Sequence, residues 1–146
     1  MKFSFSWLKD YLETDLSADE VGAVLTDTGL EVESLVDPRK SLGQLSVGEI
    51  LKVEKHPNAD KLKVCEVKSS TGILNIVCGA PNVKSGMKVV VAKPGDFIPG
   101  LNVNLKASKI RDVKSEGMMC SERELEISDE HEGIIELPSE TEVGTL

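Results

Sequence analysis

The residues of this 146-residue chain best suited to covalent chemistry or metal binding are three cysteines, two histidines and a run of carboxylates. Cys65, Cys78 and Cys120 are odd in number and no two form a Cys-x-x-Cys pair, so neither a zinc site nor a disulfide framework is supported. They read as structural thiols of a reducing, cytoplasmic setting. His56 precedes Pro57 in "KHPNAD" and His131 lies in "SDEHEG"; neither has a nucleophile or ligand at a telling spacing. Both read as solvent-facing turn histidines. The carboxylates from Glu116 to Glu142 read as a solvated face of like charges. "GAPNVKSGMK" has glycines and lysines but lacks the P-loop spacing and its closing Lys-Ser or Lys-Thr. The sequence therefore predicts no catalytic, metal or cofactor site within the chain, unless the fold were to gather Cys78, Cys120 and His56.

Charge is more informative. The net charge of −8 argues against a nucleic-acid partner, but its distribution does not. Residues 44–115 hold 12 Lys/Arg against 6 Asp/Glu, whereas residues 1–43 hold 4 against 9 and residues 116–146 hold 1 against 10. A basic middle between acidic ends suggests a binding face, or else lysines that merely solvate strands and blunt their edges. No segment approaches the roughly 20 apolar residues of a membrane span, and the opening lacks the apolar run of a signal peptide. The expected setting is cytoplasmic, with no membrane partner. The ending "EVGTL", without cap or charged tail, reads as the edge of a piece.

The elements that must position the basic residues follow from periodicity. "SADEVGAVLTDTG" offers Ser17 and Glu20 as a capping box and Gly29 as a stop, so it predicts a helix. "FSFSWLKDYL" before it reads as strand turning into helix, and Leu30 to Val36 alternates like a strand. Residues 1–38 thus form a small α/β segment, with a polar boundary over Asp37–Gln44. From residue 39 to 146 the pattern is strands: 46–55, 61–69, 72–80, 88–93 and a segment within 103–115, separated by turn clusters. The apolar phase slips at Cys65, which predicts a β-bulge in the second strand. "CSERELEI" predicts a short helix and "GIIELP" a strand or barrel closure. Leu125, Ile127, Ile134, Ile135 and Leu137 should fold the acidic tail back onto the barrel. The fold class is mainly β, a five-stranded OB-type barrel preceded by an incomplete α/β segment.

Such a barrel can hold nucleic acid with a basic groove and aromatic platforms. Here Phe3, Phe5, Trp7 and Tyr11 precede the barrel and Phe97 alone lies within it, so base stacking contributes little. Phosphate contacts remain, which position a partner without reading its sequence. The candidates are Lys61, Lys63, Lys84, Lys88, Lys93, Lys109, Arg111 and Lys114, and the partner such a surface suits is a folded RNA recognised by shape.

"EILKVEKHPNADKLKVCEV", "NIVCGAPNVKSGMKVVVA" and "KIRDVKSEGMMCSERELEIS" resemble the tRNA-binding domain at the front of bacterial phenylalanyl-tRNA synthetase β subunits. The same module ends some methionyl-tRNA synthetases and occurs in free-standing tRNA-binding proteins. The opening 34 residues resemble the β subunit's own beginning. The resemblance implies tRNA as partner, an α subunit in a heterotetramer of two α and two β chains, and a parent ligase that uses ATP and magnesium outside this chain. It also implies that residues 1–38 belong to a domain completed beyond residue 146. Ser115, Gly117, Met118 and Ser121 match signature positions. One departure stands out: members commonly carry Gly after the "KIR" arginine, where this chain has Asp112. A purely structural, subunit-bracing role is the alternative.

Overall fold

The computed structural model describes residues 1–145 and divides into two units, Met1–Asp37 and Pro38–Leu146. In the first, α1 (Phe5–Lys9) starts at Ser4, whose hydroxyl accepts the Trp7 N–H. Helix α2 (Ala18–Asp27) carries the full capping box: Ser17 N–H donates to Glu20 Oε2 at 2.7 Å, and Glu20 N–H donates back to Ser17 Oγ. Gly29 at φ +95° ends it, in the left-handed conformation a side chain disfavours. The strand expected over Leu30–Val36 is absent, as is the one expected near Phe3. A strand exists by pairing, and no ladder among the described residues includes this segment. Val32 N–H instead donates to the Thr26 hydroxyl.

The second unit opens with α3 (Pro38–Leu42) and continues as a barrel. Strands β1 (Ser46–His56), β2 (Ala59–Ser69), β3 (Gly72–Cys78), β4 (Lys88–Ala92) and β9 (Met118–Met119) form an antiparallel sheet ordered β3-β2-β1-β4-β9. Between β4 and β9 lie two small hairpins, β5 (Phe97–Ile98) with β6 (Val103–Asn104), and β7 (Ser108–Ile110) with β8 (Val113–Ser115). The segment within 103–115 that reads as one strand is thus three short ones. The fold is the expected mainly-β, OB-type barrel.

The barrel closes through "SEGMM". Glu116 N–H donates to Asn75 O at 2.8 Å, and its carboxylate accepts the Asn75 N–H. Ser115 Oγ accepts the Val77 N–H at 3.1 Å. A Cβ on Gly117 would sit 2.8 Å from the Ala92 carbonyl oxygen, closer than real Cβ atoms come, and 3.2 Å from Ile76 Cδ1. Gly117 therefore lets β3 and β4 approach. The matched signature is a seam of the barrel.

The bulge lies elsewhere than expected. β2 keeps unbroken register with β3 from Lys63 to Ser69, so Cys65 is regular. The extra residue is Leu51 on β1, between the Ile50–Val67 and Lys52–Glu66 pairs. The register of β1 with β2 shifts again after the Lys55–Lys63 pair, so that His56 faces Ala59 and Asp60–Leu62 of β2 lie opposite no residue of β1 in that register. The change of apolar phase needs no bulge: Val64 and Cys65 face opposite sides of a regular strand, Cys65 in the core and Val64 half-buried on the outer face.

β4 reads "KVVVA", a continuous apolar run, because both of its faces are covered. Val89 and Val91 point into the barrel with Ile50, Cys65, Val67, Ile76 and Met119. Val90 and Ala92 face a second cluster of Leu45, Ile98, Cys120, Leu125 and Ile135. The acidic tail supplies much of this outer layer and returns to β1 through Val47 N–H to Thr145 O and Gly144 N–H to Val47 O. Ile134 is buried in the barrel cluster and Leu137 bridges to Lys88, but Ile127 is 61% exposed and takes no part. "SERELE" forms successive turns rather than a helix: the Ser121 N–H donates to the Glu124 carboxylate, but the Glu124 N–H makes no return bond to the Ser121 hydroxyl. Half a capping box did not start a helix.

Candidate nucleic-acid interface

At one end of the barrel two turns meet. His56 closes β1 and is only 5% exposed, not facing solvent as its turn position predicts. Nδ1 accepts the Asn58 N–H at 3.0 Å and Nε2 lies 2.9 Å from Ile110 O. An amide donor on Nδ1 places the ring proton on Nε2, which donates to that carbonyl. Asn58 Nδ2 also donates to Arg111 O at 3.3 Å. The β1–β2 turn is thereby tied to the β7–β8 turn. His131 stays exposed.

The second turn is a two-residue loop, Arg111 at φ +47° and Asp112 at φ +72°, closing the Ile110–Val113 pair. Positive φ at both residues is the type I′ geometry that matches strand twist, and it favours Asn, Asp or Gly. Asp112 is thus explained by the backbone: it is one of the side chains that tolerates the conformation in which Gly is most at ease.

Around these turns the basic candidates separate. Lys61, Lys109 and Arg111 are exposed on or beside them. Lys63 lies directly across from Lys55, and the two continue the inward row of Val53 and Cys65 beyond the packed core. Lys63 Nζ reaches Val83 O at 3.4 Å, which brings exposed Lys84 to the same end. Lys109 also faces Lys114 across its hairpin, but Lys114 already holds Glu116. Like charges directly opposite one another destabilise a sheet, and a bound polyanion would relieve that. Lys55 is absent from the sequence-based candidates; strand register, invisible before β1 and β2 are aligned, is what brings it in.

The remaining candidates differ. Lys88 is held by Glu49 at 2.8 Å with its side chain 14% exposed, and the lysine draws the Glu49 carboxyl below its usual range. Lys114 pairs with Glu116 at 2.9 Å, and that hydrogen bond, with the Asn75 N–H, lowers Glu116. Lys93 donates to Ser70 Oγ at 3.1 Å, just past the opposite end of β2. The eight residues therefore do not converge on one side.

Residues 45–146 match the model of a family described as "Putative tRNA binding domain". The chain belongs to this tRNA-binding domain family. It is similar to the phenylalanine–tRNA ligase β subunit of Ruegeria pomeroyi (55% identity, 95% of this chain and 17% of the relative) and to that of Paramagnetospirillum magneticum (52%, 99% and 18%). The chain thus spans less than a fifth of these relatives. Among solved structures it resembles a MetRS-related protein from Pyrococcus horikoshii, with TM-score 0.52 and 26% identity, covering 77% of this chain and 96% of that one.

Within this tRNA-binding domain the groups that could do chemistry are set apart. Both ring nitrogens of His56 are occupied by backbone groups, and burial pushes the Cys65 thiol up to about 11 and Cys120 to about 12. Cys78 packs against the barrel cluster and Cys120 lies in the outer one. Among the described residues no three His, Cys, Asp or Glu side chains gather to hold a metal, and no helix is long and apolar enough to cross a membrane. The glycine–lysine loop is a poor nucleotide cradle: Lys84 N–H turns to Met87 Sδ and Ser85 Oγ donates to Leu51 O.

Proposed function

We propose that the chain is the portion of a phenylalanine–tRNA ligase β subunit that carries its tRNA-binding barrel, and that the end of the barrel formed by the β1–β2 and β7–β8 turns receives tRNA phosphate. The observation that carries this reading is the cross-strand Lys55–Lys63 pair beside Lys61, Lys84, Lys109 and Arg111, on a member of the tRNA-binding domain family. Among the described residues none of these six is held in an ion pair like those of Lys88 and Lys114. Backbone contacts of this kind select shape over sequence. With one half-buried phenylalanine in the barrel, stacking adds little.

In the same proposal the parent enzyme joins phenylalanine to its tRNA with ATP and magnesium, in the cytoplasm, as two α and two β chains. In this reading ATP and magnesium act in other parts of the enzyme, and this chain contributes tRNA contact. Met1–Asp37, whose one buried apolar side chain is Val21, would be completed by chain following the barrel.

The test is fluorescence anisotropy of labelled tRNA with the 146-residue chain across a salt series. If about three phosphates are neutralised, log affinity falls against log salt with a slope of roughly −2 to −3. Two different tRNAs should bind alike. Absence of binding even at low salt would favour the bracing role.

A further inference from the structure

The hairpin that carries Lys109, Arg111 and Lys114 is not part of the five-stranded sheet; β7 and β8 pair with each other alone. Two strands of three residues each make a marginal unit by themselves. Its base is fastened at the barrel seam through Ser115 and Glu116. Its tip is fastened about five residues away, by His56 and Asn58 of the other turn. Nε2–H of His56 holds Ile110 O at 2.9 Å, and Asn58 Nδ2 holds Arg111 O at 3.3 Å. Arg111 returns a long contact of 3.5 Å to Asn58 O. The burial of His56 shields its bond to Ile110 O from water, whereas the Asn58–Arg111 contacts are exposed and compete with solvent.

We propose that His56 is a positioning residue for RNA binding: its imidazole fixes the β7–β8 tip against the β1–β2 turn and so sets the spacing of Lys109 and Arg111 from Lys61 and Lys63. The inference rests on the tRNA-binding reading above and adds to it a residue whose two ring nitrogens are taken by backbone groups and which has almost no exposed surface. Neither property suggests a role in binding phosphate. The imidazole acts through geometry, because phosphate spacing along an RNA backbone is fixed and a misplaced pair of cations meets one phosphate where it could meet two.

Two substitutions divide the work of the ring. The Asn side chain reproduces the position of Nδ1, so His56→Asn keeps an acceptor for Asn58 N–H while losing the reach to Ile110. Gln reproduces Nε2, so His56→Gln keeps a donor for Ile110 O and gives up the local bond. tRNA binding to the 146-residue chain is measured for both by anisotropy at low salt, below their melting temperatures, alongside amide 15N–1H spectra without RNA. His56→Asn should lose about fivefold or more in affinity, with a salt slope shallower by roughly 1, and should shift the amides of Ile110–Asp112. His56→Gln should stay within about twofold and leave those amides near their wild-type positions. Equal binding by both variants, or losses that follow melting temperature alone, would overturn the positioning role. A wild-type chain that binds no tRNA at any salt would instead sink the reading beneath it, and the amide spectra would still decide whether His56 places the hairpin tip.

Discussion

Lysines serve two purposes on this barrel. Along its wall, Lys88 and Lys114 each hold a glutamate at 2.8 and 2.9 Å, and both carboxyls are lowered by the contact. At the turn end, Lys55 and Lys63 face each other across a ladder, with Lys61, Lys84, Lys109 and Arg111 nearby. Net charge cannot tell these lysines apart, since both groups lie in the same basic segment. Pairing can. A lysine already holding a carboxylate must give up that partner before it meets phosphate, whereas opposed lysines gain from any anion placed between them.

The largest effect that would break this contrast is charge reversal at the turn end. Lys61→Glu with Lys63→Glu should weaken tRNA binding about tenfold or more at low salt, equally for different tRNAs, and flatten the salt slope by roughly 2. Anisotropy titrations check it; an unchanged affinity would move the RNA elsewhere. Next is the wall: Lys88→Ala should leave affinity within about twofold in the same assay, while Lys63→Ala should not. The wall ion pairs should also respond to acid. Glu49 and Glu116 have folded-state pKa values below their unfolded ones, so their contribution is present above the ordinary carboxylate range and is lost as pH falls through the lowered values. Chemical denaturation at descending pH should therefore show a loss that Glu49→Gln with Glu116→Gln diminishes. The smallest expected effect is at the hairpin tip. Asp112→Gly relieves a non-glycine residue at φ +72° and should stabilise the chain by about 0.5–1 kcal/mol, read from denaturant midpoints.

Much of the fold was legible because barrel strands advertise themselves. The four long strands fall where alternation and turn clusters place them, and the doubly covered β4 shows as an unbroken apolar run. What stayed hidden depends on pairing. Leu30–Val36 alternates as a strand should, yet alternation supplies no partner, and the segment stays unpaired. The bulge lies at Leu51 and not at Cys65 because adjacent apolar residues can face opposite sides of one strand, as Val64 and Cys65 do, without any break in the ladder. Ser121 and Glu124 have the spacing of a helix cap without the helix. The segment "RELEIS" buries Leu125 but leaves Ile127 exposed, so it offers no continuous apolar face for a helix to pack.

The site was legible by residue type and hardly by place. A basic middle segment pointed to phosphate, but which lysines are paired is set by glutamates that meet them in space: Glu49 lies 39 positions from Lys88. His56 misleads for the same reason. A histidine before proline in a polar turn looks solvent-facing, and its burial depends on a carbonyl 54 residues later in the chain.

The central claim, that RNA meets the turn end of the barrel, is tested most directly by titrating tRNA into the 15N-labelled chain at low salt and following its backbone amides. Lys55, Lys61, Lys63, Lys84, Lys109 and Arg111 should shift or broaden first, with Lys93 and Ser70 at the opposite end nearly unmoved. Changes centred on Lys93 and the β2–β3 turn, or spread evenly over the barrel, would contradict it.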